Sequence, residues 1–119
     1  MKSRKELREE YKQRKYRMGV FQIKNSINNK IYVGSSQDLD AIWHAQKLQL
    51  NIGIHSNSEL QKDWKESGPD NFNFEILEML KQNDDNKPQE FEIELKSLEE
   101  MIVEELQPFE NRGYNKKKK

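Results

Sequence analysis

Gly19-Val20-Phe21 and Tyr32-Val33-Gly34 are separated by ten residues, Gln-Ile-Lys-Asn-Ser-Ile-Asn-Asn-Lys-Ile, and this arrangement constrains the fold more than any other feature. Ile27-Asn28-Asn29-Lys30 is a turn signal, because asparagine tolerates the left-handed backbone that a tight hairpin demands. Strands are predicted over 18–25 and 30–35, facing each other across that turn. Their side chains alternate, so Phe21 and Ile23 share one face of the hairpin while Val20 and Gln22 share the other.

The remaining elements follow from caps, breakers and periodicity. Ser3-x-x-Glu6 is a capping box that predicts a helix over 3–15, with only Leu7, Tyr11 and Tyr16 as apolar content nearby. Asp38 can cap a helix over 39–51, whose buried face carries Leu39, Ile42, Trp43 and Leu50, with Gly53 as the stop. Ser56-x-x-Glu59 is a second capping box. It predicts a short helix with Leu60 and Trp64, ended by Gly68-Pro69. A third strand is predicted over 72–79. The polar run 81–88 has no period and is predicted to be a loop. Phe91, Leu95, Leu98, Ile102 and Leu106 form the stripe of a last helix over 89–106, terminated by Gln107-Pro108. The order α-β-β-α-α-β-α predicts an α/β (α+β) domain. It has a small three-stranded antiparallel sheet flanked by helices, and an extra helix at the N-terminus.

Composition narrows the chemistry. A chain of 119 residues fits one domain, and with 33% hydrophobic and 35% charged residues its core is small. There is no cysteine, which excludes disulfides and thiolate metal sites. A metal here takes oxygen or imidazole ligands, which suits a hard cation. No apolar run approaches the roughly 18 residues of a membrane helix, and no signal-peptide pattern opens the chain, so a cytoplasmic protein is the expectation. The net charge of zero conceals an asymmetry. Residues 1–17 carry eight Lys/Arg against three Glu (+5), the tail 116–119 is four lysines (+4), and 18–115 carries −9. The basic ends can contact phosphates or simply solubilise the chain, whereas the acidic middle argues against a broad DNA-binding face.

Several strings in order resemble the GIY-YIG nuclease superfamily. Gly19-Val20-Phe21 and Tyr32-Val33-Gly34 stand where that family has its two name-giving motifs. Gly34-Ser35-Ser36 followed by Leu39 and Trp43 resembles the start of its first core helix, and Gly53-Ile54-His55-Ser56-Asn57 resembles its G-x-H-x-N turn. Leu60-Gln61-x-x-Trp64, Phe72-x-Phe74-x-Ile76-Leu77-Glu78, Leu98-Glu99 and Gly113-Tyr114-Asn115 continue the resemblance to the chain's end. It spans a GIY-YIG-like domain over 18–115, flanked by the basic N-terminal helix (1–17) and the basic tail (116–119) read from the residues above.

The resemblance also implies a reaction, the hydrolysis of a DNA phosphodiester with Mg²⁺ or Mn²⁺. Such hydrolysis needs an activated water, a cation to neutralise charge, and a proton for the leaving group. Glu99 matches the family's metal-binding glutamate, and it lies four residues after Leu95, at the edge of the apolar stripe. Tyr32 matches the second hairpin tyrosine, His55 the histidine of the turn, and Asn115 the closing asparagine, expected to tie down the chain end. From its position alone, a lone histidine at a helix start reads more readily as a surface residue. Two departures stand out. Phe21 occupies the position of the first tyrosine and lacks its hydroxyl. Ile42, ten residues after Tyr32, occupies the position of the catalytic arginine and offers a phosphate no charge. Gln46 sits where many members carry a histidine. No arginine occurs between 18 and 111.

Three readings are therefore open. One is a superfamily member with a degenerate hydrolytic centre that binds DNA through its basic termini. A second is an active metal-dependent endonuclease using a relocated basic residue, such as His44, Lys47 or one from the N-terminal segment. The third is a protein-interaction module that keeps only the fold. The sequence leaves the oligomeric state open.

Overall fold

The computed structural model describes residues 17–81 and 88–116. The helix expected over 3–15, the middle of the polar loop and the last three lysines lie outside the described residues.

The Asn-rich turn folds as its composition dictates. The Asn25 side chain accepts from the Ile27 N–H at 3.0 Å, and the Asn28 side chain accepts from the Lys30 N–H at 2.9 Å. Asn29 takes the left-handed conformation, φ 62°. Around this turn, β1 (Gly19–Asn25) and β2 (Ile31–Ser36) pair antiparallel, with Phe21 opposite Gly34 and Ile23 opposite Tyr32.

Asp38 caps α1 (Leu39–Ile52), accepting from the Ala41 N–H at 3.2 Å, and Gly53 ends it in the left-handed region. The next helix, α2 (Ser58–Ser67), is capped by Asn57 and not by the Ser56 of the expected capping box. The Asn57 side-chain oxygen accepts from the Leu60 N–H at 3.0 Å, while its amide donates to the Tyr114 carbonyl at 2.7 Å. That tertiary bond selects the cap residue. A short 3-10 turn, Pro69–Asn71, leads into β3 (Phe72–Met79), which pairs antiparallel with β1 on its other side. The strand order is β2-β1-β3, so β2 and β3 are the edges. The long helix α3 (Pro88–Leu106) follows.

Side-chain alternation on β1 divides the core in two. On one face Phe21 and Ile23 pack with Leu39 and Leu50 of α1, Leu60 and Trp64 of α2, Phe72 and Tyr114. On the other, Val20 and Val33 pack against Ile102 of α3, with Leu98, Val103 and Leu106 alongside. Ile42 and Trp43 are only half-buried against the first cluster, and Leu39 and Leu50 are the fully buried residues of α1. The structure is thus a three-stranded antiparallel sheet flanked by helices on both faces, with edge strand β2 lying between α1 and α3.

Candidate active site

Phe21 reaches across the hairpin toward that edge. A Cβ placed on Gly34 would lie 2.8 Å from Phe21 Cζ, so the tip of the ring rests on the β2 backbone and the glycine makes room for it. Phe74 stacks on the ring at a centroid distance of 5.4 Å, and Phe21 is 2% exposed. A tyrosine here would project its hydroxyl from Cζ over β2. The phenylalanine leaves only carbon there.

Tyr32 lies two residues before Gly34 on the same face of β2. Its ring is half-buried and meets His55 edge-on at 5.5 Å. Burial, and after it the charge of the nearby Glu99 carboxylate, push the Tyr32 phenol above its ordinary range. It is therefore a protonated donor at neutral pH. A cavity of about 710 Å³ opens beside it, lined among others by Tyr32, Glu99, Glu100, Glu104 and Asn115. A smaller one, about 260 Å³, is lined by Ser35, Ser36, Gln37, Glu92, Lys96 and again Glu99. Glu99 is half-buried on α3, four residues past the buried Leu95, and stands where the two cavities meet.

His55 is buried, 7% exposed, contrary to the surface position its sequence context favoured. The reason is its hydrogen bonding. Nδ1 accepts the Asn57 backbone N–H at 3.0 Å, and Nε2 meets the Gln46 side-chain oxygen. Because Nδ1 is an acceptor, the proton sits on Nε2 and is donated to Gln46. Burial holds the ring's basicity below the usual histidine value, so the neutral form prevails at pH 7.

Ile42 and Gln46 are one turn apart on α1, and Ile42 packs against the same core cluster as Tyr32. Ile42 itself brings no charge to that position. Asp40 and His44 lie about 200° around the helix from Ile42, and His44 is exposed. Arg17 grips the Asp40 carboxylate through Nε at 3.1 Å and through its terminal nitrogen. The Lys47 ammonium rests 5.2 Å from the centre of the Trp43 ring.

Asn115 uses its side-chain amide as a strand would. Its nitrogen donates to the Val33 carbonyl at 2.9 Å, and its oxygen accepts the Val33 N–H at 2.8 Å. Both halves of the amide are committed to the backbone beside Tyr32.

The donors facing the larger cavity bear on a metal. Among the described residues no three His, Asp or Glu side chains gather to hold an ion. Glu99 is the half-buried carboxylate there, with Glu100 and Glu104 on the rim. That donor set suits a hard cation that keeps most of its water, as Mg²⁺ does, and does not suit one caged by protein.

The structure thus brings Tyr32, His55, Glu99 and Asn115 to one edge of the sheet, and leaves Phe21 and Ile42 as apolar neighbours of the same site. Gln46 and Asn57 are the polar partners that sequence reasoning underweighted. Gln46 is visible from its place one turn beyond Ile42, where many family members carry a histidine, but its bond to His55 is not.

A model of the GIY-YIG catalytic domain matches residues 17–106. Intron-associated endonuclease 1 of Enterobacteria phage T4 is 40% identical over 62 residues, which is 52% of this chain and 25% of that protein. The match therefore spans only a quarter of that relative's length. The catalytic domain of homing endonuclease I-TevI superposes with a TM-score of 0.70 at 31% identity, covering 85% of this chain and 99% of that domain. A glutamate-to-alanine variant of it gives a TM-score of 0.55 at 32% identity, covering 83% and 92%. With its three-stranded sheet, its order of motifs and these matches, the chain belongs to the GIY-YIG catalytic domain family.

Proposed function

We propose that this chain is a nuclease domain related to homing endonucleases whose hydrolytic centre is degenerate, and that it engages DNA. The observation that carries the reading is Ile42: an apolar side chain packed against the core where a phosphate clamp is expected, with Arg17 engaged by Asp40 and Lys47 lying over Trp43. Losing such a clamp removes roughly a hundredfold or more in rate, because a fixed cation near the developing charge acts in a partly water-excluded site.

The remaining residues keep recognisable tasks in this reading. Glu99 would hold a hydrated Mg²⁺ or Mn²⁺, which neutralises charge on the phosphate and leaving oxygen when bound. Tyr32, kept protonated, offers its hydroxyl as a donor at the cavity wall. His55, with both ring nitrogens hydrogen-bonded, fixes the Tyr32 ring and is not available as a base. Asn115 holds the β2 backbone. The basic ends, +5 over 1–17 and +4 over 116–119, supply phosphate contacts that the −9 middle lacks.

The test restores both missing groups. Phe21→Tyr with Ile42→Arg should raise Mg²⁺-dependent nicking of supercoiled plasmid by about a hundredfold over the unmodified chain, with the melting temperature measured alongside. A folded double variant without gain means the cleft differs at more than these two positions. Robust cleavage by the unmodified chain overturns the reading in favour of a relocated basic residue.

A further inference from the structure

Gln46 has one side-chain atom spoken for and one not. Its oxygen accepts the His55 Nε2 proton, and the Nδ1 bond to Asn57 fixes this orientation, since a ring with an accepting Nδ1 must carry its proton on Nε2. The carboxamide nitrogen consequently points away from His55. Among the described residues none accepts from it, and none of their buried side-chain nitrogens or oxygens lacks a partner, so this nitrogen of the half-buried Gln46 is not sealed in the core. It stands one turn beyond Ile42 on α1, and through His55 it adjoins Tyr32.

We infer that Gln46 is a phosphate-binding residue of the cleft: with its oxygen locked by His55, its amide N–H groups are presented as neutral donors to a DNA phosphodiester where Ile42 supplies no charge. The inference rests on the proposed DNA-engaging function and gives it a specific contact. A hydrogen bond from a neutral donor to an anionic oxygen is stronger than one between neutral groups. It also differs from a guanidinium contact in one measurable way. A cation that neutralises a phosphate releases a counterion and steepens the salt dependence of binding, whereas a neutral amide releases none.

The experiment measures binding of a short, fluorescently labelled DNA duplex by anisotropy over a salt series, without divalent metal. It compares the unmodified chain with Gln46→Met and Gln46→Glu, each checked for melting temperature. A long-range ¹⁵N–¹H spectrum of His55 reports which ring nitrogen is protonated. Gln46→Met should weaken binding roughly tenfold at every salt concentration with the slope unchanged. Gln46→Glu keeps the acceptor for His55, and so keeps the Nε2–H form, but should weaken binding further because it sets a negative charge against the phosphate. Binding by Gln46→Met equal to the unmodified chain overturns the inference. So does a Gln46→Met slope that changes by about one, the mark of a lost cation contact, or a His55 protonated on Nδ1 in the unmodified chain. If the unmodified chain does not bind the duplex while His55 is in the Nε2–H form, the DNA-engaging function itself fails and Gln46 loses its ligand. If the unmodified chain binds and only the Gln46 variants are indifferent, Gln46 alone is refuted.

Discussion

Replacing Gly34 by alanine places a methyl group 2.8 Å from Phe21 Cζ and 3.2 Å from Cε1. Carbon atoms in contact prefer about 3.5–4.0 Å, so the ring must retreat by roughly 1 Å. It has little room to do so. Phe21 is 2% exposed, and Phe74 lies against it at 5.4 Å. Two effects compete. Alanine restricts the unfolded chain and so favours folding by about 0.4–1 kcal/mol. Overpacking a filled core costs about 1–3 kcal/mol. Overpacking wins, for a net loss of about 1–2 kcal/mol. In a domain of this size that lowers the melting temperature by roughly 4–8 °C. Urea unfolding of the single variant, of Phe21→Leu and of the double variant forms a cycle. Because leucine has no ring tip over Gly34, the alanine should cost at least about 1 kcal/mol less in the leucine background. An alanine variant as stable as the parent, or equal costs in both backgrounds, would show that the ring does not press on this glycine.

Other perturbations read separate parts of the structure. Asn57→Ala removes both the cap of α2 and the bond to the Tyr114 carbonyl, and should cost about 2–3 kcal/mol. Asn57→Ser keeps a capping oxygen and should cost about half as much, with equal denaturant midpoints for the two variants refuting the capping role. Burial, and after it the hydrogen bond to Asp63, push the Tyr114 phenol up to about 12, so the stability gained by keeping it protonated is present below pH 10 and lost as pH rises toward 12. The stability difference between the parent and Tyr114→Phe should accordingly shrink across that window, and a constant difference would contradict it. Calorimetric titration with Mn²⁺ should show weak binding that Glu99→Gln abolishes, and identical heats would remove Glu99 as the ligand.

Much of this fold is legible in the chain because the decisive signals are local. Asn29 sits in the left-handed region that a tight turn requires, Asp38 caps α1, and Gly53 stops it. Glu99 is placed at the stripe's edge by counting from Leu95, and it is half-buried there. What escaped the sequence depends on partners far along the chain. Ser56 and Asn57 are both competent caps, and Asn57 is chosen by a carbonyl 57 residues away. His55 is drawn inward by Gln46 on α1 and by the Asn57 N–H. Gln46 is placed by its spacing from Ile42, but its bond to His55 depends on the direction in which His55 points its proton.

The closing segment has a consequence beyond the cleft. β2 is an outer strand, and outer strands offer a row of open N–H and C=O groups on which another chain can template. Here the Ile31 and Val33 part of that row is taken up from within. The Ile31 N–H donates to the Arg112 carbonyl, the Tyr114 N–H donates to the Ile31 carbonyl, and the Asn115 amide occupies both backbone groups of Val33. Residues 112–115 act as a guard rail against sheet extension between molecules. The asparagine resembling the family's closing residue thereby helps keep copies of this chain from adding strand to strand.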